Sequence, residues 1–410
     1  MIYFIIPILL VSIAISFLFY SIFGFDYVYV GDGAGYNSYL VAKFIYNNMN
    51  MDFMSYHPSL SVLDGGKFIQ KYPMGVSFLQ CPFFLLAHFI TKIFNPDELN
   101  GISLFYKISI LVSVNFYMCF GLILNFKTLR KKFSYSYSMT SLFAIAFGCG
   151  MLYYTTVHGS YSHIYSYFLI SLFVYLTIKE TEVIKFKQLY YIVIGFILGL
   201  VFLTRNINIL IFIFWIFYGE ADLRKRLLKI FSPYIWIAFL LTILPQLIYW
   251  HNQTGSYFVN SYGYITTACY LGFAPGCEKE HFDWLTPHFI KNWFHIERGL
   301  FIYYPVMLFS VYGLFKLRKY WLNISNGLYF SLLPLVYLIT TWYMQSYGWC
   351  FGQRCYIDHM TLYSILIACS LAEVDKIENK IYKIILKSFF FILIIVGFIL
   401  MLLTAFGVIS

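Results

Sequence analysis

The chain has 410 residues, of which 60% are hydrophobic, 22% are aromatic and only 11% are charged. A soluble globular domain carries about 25% charged residues, so this composition excludes an ordinary soluble protein. The formal net charge is +10, but the lysines and arginines cluster at the ends of apolar blocks, as in cytoplasmic loops, so we expect them to set the topology and not to bind nucleic acid.

Apolar blocks of about 17–25 residues recur along the whole chain and predict an all-α integral membrane protein. We expect residues 1–410 to form one polytopic membrane domain. The first block, residues 2–23, is long enough to cross a bilayer and lacks the cleavage site of a signal peptide. It is therefore expected to be a retained helix with its N-terminus inside.

The stretch YVGDGAGYNSYL follows this block from Tyr29 to Leu40. It is not a Walker loop, because no Gly-Lys-Ser/Thr follows, and no strand precedes it as in a dinucleotide fingerprint. We expect Asp32 to lie directly outside the first transmembrane helix, at the level of lipid headgroups. The glycines would let the backbone turn tightly and approach a ligand, and Tyr36 would line the same pocket.

The first outer loop, about residues 24–102, contains the stretch DGGKFIQKYPMG between Asp64 and Gly75. Lys71 precedes a proline at the entrance to an apolar segment, where a lysine can bind a lipid phosphate as a point charge. His57 lies earlier in the same loop and is a candidate substrate-binding residue.

The apolar blocks 74–94 and 103–126 both precede the basic cluster Lys127–Lys132. If both blocks crossed the bilayer, that cluster would lie outside, against the positive-inside rule. We therefore predict that segment 74–94 is interfacial or re-entrant, which leaves about 11 transmembrane helices. The crossings after the basic cluster are expected near 136–154, 161–178, 189–204, 207–219, 233–250, 300–315, 324–342, 355–371 and 384–408.

This topology places most of the unusual polar residues at the outer face, where ionisable groups near a membrane are functional candidates. His158 and His163 occupy an outer turn, and their spacing of five residues favours hydrogen bonding to a substrate over a metal pair. Arg205 interrupts an apolar run at another outer corner. Whether a divalent metal takes part is left open by the sequence.

A long outer loop, about residues 251–299, is rich in aromatic residues and amides and includes Glu297 and Arg298. Such side chains suit a sugar, although an interfacial aromatic belt explains part of the pattern. Its cysteines Cys269 and Cys277 either form a disulfide or stay free. Near the next outer loop, Trp349 and Arg354 are candidates for substrate and phosphate binding.

Four features in chain order resemble the membrane glycosyltransferases that use polyprenyl- or dolichyl-phosphate sugars, a class that includes protein mannosyltransferases and aminoarabinose transferases. They are Asp32, the Lys71–Gly75 stretch KYPMG, the Arg205-Asn206 corner, and the region PQLIYWHNQTGSYFVNSYG to ERGLFIYYPV with the later GWCFGQR. The last portion is similar to a bacterial subgroup that includes O-antigen-modifying transferases.

The resemblance implies an outer-facing active site in which Asp32 acts as general base or orients the acceptor. Many members carry two adjacent acidic residues in the first outer loop, whereas Gly33 follows Asp32 here, which puts a two-carboxylate mechanism in doubt. The implied donor is an undecaprenyl-phosphate-linked sugar, loaded and flipped outward by separate proteins. Its phosphate would be held by Lys71, Arg205 and Arg354.

The expected reaction is transfer of the sugar, with inversion, to a hydroxyl of a cell-surface glycan or lipid at the periplasmic face of a bacterial inner membrane. Substrate binding is assigned to Tyr36, His57, His158, His163, Glu297, Arg298 and Trp349. An O-antigen polymerase or ligase is an alternative, as is a polysaccharide or lipid transporter, although a transporter typically shows mid-membrane breaks and inverted repeats. The sugar, the acceptor and the linkage stay undetermined.

Overall fold

Helices form nearly all the regular structure of this chain. The computed structural model describes residues 2–55, 57, 59–180, 187–219, 222–264, 280–348 and 350–408. Its α-helices in chain order are α1 Ile2–Phe23, α2 Asp32–Val41, α3 Gly75–Phe94, α4 Leu104–Leu129, α5 Tyr135–Gly148, α6 Met151–Thr156, α7 Ser162–Lys179, α8 Lys187–Thr204, α9 Ile211–Phe217, α10 Leu223–Ile230, α11 Pro233–Thr254, α12 Phe289–Phe294, α13 Leu300–Tyr303, α14 Leu308–Tyr320, α15 Leu322–Thr340, α16 Met360–Val374 and α17 Lys380–Ala405.

Eight helical segments within the described ranges are long and apolar enough to cross a bilayer. They are Tyr3–Phe23, Gly75–Phe94, Leu104–Leu129, Lys187–Thr204, Pro233–Thr254, Leu322–Thr340, Arg354–Val374 and Lys380–Ala405. These segments agree with the expected all-α membrane protein. The expected count of 11 crossings stays a prediction.

Some of the expected crossings consist of two short helical elements, and neither element alone is long enough to cross a bilayer. Residues 136–154 divide into α5 and α6 at Gly150, whose φ is +71°. A side chain at Gly150 would also meet the Tyr304 ring, since an added Cβ would lie 2.9 Å from it. The expected 207–219 block is a 3-10 turn, Asn206–Leu210, followed by α9.

Segment 74–94 forms the continuous helix α3, and both of its ends contact structures on the side that the charge pattern places outside. Gly75 packs against the backbone of Leu203 and Thr204 at the end of α8. Beyond the other end, the Gly101 carbonyl accepts a hydrogen bond from Tyr29, which follows α1, at 3.3 Å. These contacts favour the interfacial or re-entrant placement, whereas length and composition also allow a crossing, so the path of α3 stays a prediction.

A small β-hairpin lies within the first outer loop, and the sequence pattern does not predict it. Strand β1, Leu60–Val62, pairs antiparallel with β2, Phe68–Gln70, and Leu60 stands opposite Gln70. The hairpin contacts α11, where the backbone N–H of Gln70 donates a hydrogen bond to the Tyr249 hydroxyl at 3.0 Å. The strand β2 thereby delivers the next two residues, Lys71 and Tyr72, to the outer end of the bundle.

Close helix contacts in the bundle depend on glycine, as is common where membrane helices pack tightly. A Cβ added at Gly313 in α14 would lie 1.8 Å from the Leu366 carbonyl oxygen in α16. A Cβ at Gly195 in α8 would lie 2.1 Å from the Ile235 carbonyl oxygen in α11. The helix α16 is completely buried inside the bundle, so these contacts hold the outer helices at a fixed distance from the centre.

We expect Gly313→Ala to destabilise the folded protein by about 1–3 kcal/mol, because the added methyl group meets backbone that cannot rotate away. The measurement is the thermal unfolding midpoint of the purified protein in detergent. Gly263→Ala is the matched control, since a Cβ there meets only the Asn260 side chain. Equal midpoints for the two variants would contradict the packing argument.

Candidate active site

The helix α2 begins at Asp32, and the two glycines beside this residue pack against the turn between α6 and α7. Gly31 has a φ of +64°, and a Cβ there would lie 2.3 Å from the Tyr161 hydroxyl. A Cβ at Gly33 would lie 1.9 Å from the Ser160 hydroxyl. The glycines therefore let the backbone approach Ser160 and Tyr161 closely, whereas the sequence pattern predicted that they would approach a ligand. This contact fixes the position of Asp32.

Both carboxylate oxygens of Asp32 accept hydrogen bonds. Tyr72 donates its hydroxyl to Oδ1 at 2.7 Å, and Arg354 donates Nη1 to Oδ2 at 2.9 Å. Burial by itself would raise the pKa of Asp32, but the Arg354 guanidinium and the Tyr72 hydrogen bond lower that pKa to about 2. The side chain keeps 22% of its surface exposed, so an ionised carboxylate stays within reach of a substrate.

Tyr72 is held in place from two sides. Its carbonyl accepts a hydrogen bond from the Tyr39 hydroxyl at 2.7 Å, and its ring stacks on Tyr36 with centroids 4.5 Å apart. The neighbouring Lys71 forms an ion pair with Glu280 of the long outer loop, and its ammonium lies 5.2 Å from the Tyr262 ring centroid. Lys71 thus lies beside the Asp32 cluster with an anionic partner of its own.

A second polar network lies next to the first and centres on Asp358, which is fully buried. His163 Nδ1 lies 2.8 Å from Asp358 Oδ1, where a protonated nitrogen donates, and Asn208 donates its amide to Oδ2 at 2.8 Å. Arg205 Nη1 lies 3.6 Å from Oδ2 and its Nη2 lies 3.1 Å from Cys355 Sγ. Asp358 therefore holds Arg205 at the outer corner after α8.

The structure thus brings four predicted residues together, Asp32, His163, Arg205 and Arg354, with Tyr36 packed beneath Tyr72. It adds Tyr72, Asp358, Asn208 and His359, which the sequence pattern did not single out. His359 Nε2 lies 3.0 Å from the Asn208 amide oxygen. A signal for Asp358 exists, because an acid at the start of an apolar block is costly in a membrane, and Asp358 stands four residues after Arg354.

The remaining predicted histidines lie beside this cluster. His158 is buried and stacks on Tyr161 with centroids 4.4 Å apart, and burial lowers its pKa to about 3, so the ring is neutral. His57 Nδ1 lies 2.8 Å from the Ser59 hydroxyl, and burial lowers its pKa as well. Both rings serve as neutral hydrogen-bonding or stacking groups.

Glu297 and Arg298 line a separate outer cavity of about 200 Å³. Arg298 donates a hydrogen bond to the Gly348 carbonyl, whereas the Glu297 side chain faces solvent. The predicted residue Trp349 lies outside the described residues. The same holds for Cys269 and Cys277, so their disulfide stays a prediction.

The described part of the chain contains no group of three or more His, Cys, Asp or Glu side chains able to hold a metal ion. Both oxygens of Asp32 are taken by Tyr72 and Arg354.

Comparisons with known proteins show that the chain shares its fold with solved structures. No protein-family model and no curated protein matches the chain. Among solved structures, the apo crystal structure of the Archaeoglobus fulgidus oligosaccharyltransferase matches with a TM-score of 0.58 and 11% identity, over 98% of this chain and 56% of its own.

Two further structures of the archaeal enzyme match in the same way. The oligosaccharyltransferase AglB from Archaeoglobus fulgidus, in complex with an inhibitory peptide and a dolichol-phosphate, has a TM-score of 0.56 and 12% identity over 98% of this chain and 55% of its own. The form tethered by a disulfide to an acceptor peptide with the NVT sequon has a TM-score of 0.54 and 13% identity over the same shares. The chain therefore spans about half the length of these structures and shares their polytopic helical fold.

Proposed function

We propose that this protein is a membrane glycosyltransferase that moves a sugar from a polyprenyl-phosphate donor to a hydroxyl group of a glycan or lipid acceptor on the outer face of the membrane. The Asp32–Arg354 pair, with Arg205 nearby, is the observation that carries the proposal. It lies at the end of the bundle assigned to the outside, in a fold shared with an oligosaccharyltransferase. One of those structures holds a dolichol-phosphate.

The donor phosphate would bind to Arg205 and Arg354. A guanidinium presents a planar fork of donors that matches two phosphate oxygens, and both side chains keep 17% of their surface exposed. Lys71 adds a third positive charge, shared with Glu280. These cations stabilise the negative charge that develops on the leaving phosphate as its bond to the sugar breaks.

Asp32 would orient and activate the acceptor hydroxyl. A carboxylate with a pKa of about 2 is a weak base while Arg354 holds it. A donor phosphate that draws the Arg354 fork toward itself would weaken this pair and make Asp32 more basic. Donor binding would then precede activation of the acceptor.

The reaction is a single displacement. The acceptor oxygen forms a bond to the anomeric carbon while the bond from that carbon to the phosphate oxygen breaks. The hydroxyl proton passes to Asp32 and then to solvent, and polyprenyl phosphate leaves. Attack from the face opposite the phosphate inverts the anomeric centre.

In a bacterial host, the donor would be an undecaprenyl-phosphate sugar, and a separate loading enzyme and flippase would supply it to the periplasmic side of the inner membrane. A polymerase or ligase would instead move a preassembled glycan chain. A transfer assay that reports product size distinguishes these activities, because a single labelled hexose adds one unit to the acceptor.

Asp32→Asn is expected to lower sugar transfer by roughly 10²–10⁴-fold, the usual contribution of general acid–base assistance. The measurement uses membranes that contain the protein, labelled polyprenyl-phosphate sugar and an extract of surface glycans. Asp26→Asn is the control, because Asp26 lies in the same outer loop with a side chain 96% exposed. Normal transfer by Asp32→Asn would remove Asp32 from the mechanism.

Arg354→Gln is expected to introduce an acid limb into the pH profile of kcat/KM. In the parent protein Asp32 has a pKa of about 2, so it stays ionised from pH 7 down to about pH 4. Without the guanidinium, burial raises that pKa, and the active carboxylate is lost as the pH falls through the new value.

The profile of kcat/KM is the correct readout, because it reports pKa values of the free enzyme. Arg354→Lys retains a cation and should show a weaker acid limb than Arg354→Gln. Identical profile shapes for the parent and Arg354→Gln would contradict the assigned role of the ion pair, whatever the absolute rates.

A further inference from the structure

A polar cavity of about 200 Å³ lies beside the Asp32 cluster at the outer end of the protein, and none of the contacts of Asp32 accounts for it. It is formed by the segment after α12 and the loop that follows α15. The lining residues that matter here are Lys291, His295, Glu297, Arg298, Tyr343 and Gln353.

The wall of this cavity is fixed by buried amides. Gln353 is 1% exposed, and its Nε2 donates to the Gln345 carbonyl at 2.8 Å while its Oε1 accepts from Asn292 at 3.0 Å. Asn292 is itself buried, and its Oδ1 accepts from the Tyr356 hydroxyl at 3.0 Å. A buried chain of satisfied hydrogen bonds makes a rigid surface, so this cavity is shaped before a ligand arrives.

One stretch of backbone separates the cavity from the active-site cation. Arg298 donates to the Gly348 carbonyl from the cavity side. On the other side, a Cβ built on Gly348 would lie 3.9 Å from Arg354 Nη2. Gln353 is also the residue directly before Arg354, so a ligand in the cavity would lie one loop away from the group that holds Asp32.

Positive charge prevails among the lining groups. Lys291 and Arg298 are basic side chains, whereas Glu297 is the one acid among the described residues of the lining. The Tyr343 ring stacks on His281 with centroids 5.1 Å apart, which provides an aromatic platform. Cations and a π face recognise a carbohydrate that carries a carboxylate, since the ring packs on the platform and the carboxylate pairs with the cations.

We infer that this cavity is an acceptor subsite and that it binds an acidic sugar unit, such as a uronic acid, of the acceptor chain, one loop away from the unit whose hydroxyl faces Asp32. The inference rests on the proposed glycosyltransferase function and names the class of its acceptor. Glu297 lies at the exposed rim of the cavity. Its carboxylate would repel acceptor glycans that carry more than one negative charge.

The test measures binding of a uronic-acid-containing oligosaccharide and of its carboxyl-reduced counterpart to the purified protein in detergent, with no donor present. We expect the acidic oligosaccharide to bind about tenfold more tightly, as for a hydrogen bond to a charged group. Lys291→Glu should abolish this preference, and Glu297→Lys should increase it. Lys43→Glu is the matched control, because Lys43 is an exposed lysine of the first outer loop that does not line the cavity.

Equal binding of the two oligosaccharides, or the same loss of preference in Lys43→Glu, would overturn the inference. A transfer assay with labelled polyprenyl-phosphate sugar keeps this result separate from the proposed function. Transfer without any preference for the acidic acceptor contradicts the subsite and leaves the transferase intact. A preference without transfer supports an acidic-saccharide site and contradicts the transferase.

Discussion

The ion pair between Asp32 and Arg354 is the interaction on which the arrangement of the site depends. It joins residues 322 positions apart in the chain, one at the start of α2 and the other at the 3-10 turn that leads into α16. A largely buried carboxylate or guanidinium is destabilising without a partner, so this ion pair couples the positions of the two elements. The glycines at 31 and 33 and the stacked Tyr36–Tyr72 pair hold the first outer loop at the distance that this ion pair requires.

The second pair, Arg205 with Asp358, fixes the position of the corner after α8, as the first pair fixes the start of α2. Each arginine is positioned by an acid from a distant part of the chain, so the guanidinium groups of Arg205 and Arg354 lie in the same part of the site. The formal charges of the two arginines and the two acids cancel. This differs from the two adjacent acids implied by the resemblance, because the second carboxylate comes from the segment before α16. Asp358 is fully buried and already accepts hydrogen bonds from His163 and Asn208, whereas Asp32 keeps 22% of its side-chain surface exposed.

Local signals led to the cations and to Asp32, because a charge beside an apolar block is visible in the chain itself. Tyr72 and Asn208 were not visible in this way. A tyrosine in a chain with 39 of them has no distinguishing pattern, and its role follows from the hairpin β1–β2 that carries it to Asp32. The path of α3 and the divided helices α5 and α6 also depend on contacts, such as the packing of Gly75 on α8 and of Gly150 on Tyr304.

The sequence by itself determined that the chain is a helical membrane protein, and it predicted that the polar residues outside the basic clusters share one face, because hydropathy and the cost of charge in lipid act on each segment independently. Tertiary structure alone decided which charges pair. Pairing depends on the distance between segments that are far apart in the chain, and that distance is set by helix packing. For this reason the partner of Arg205 and the cavity beside Arg354 emerged only once the helices had been brought together.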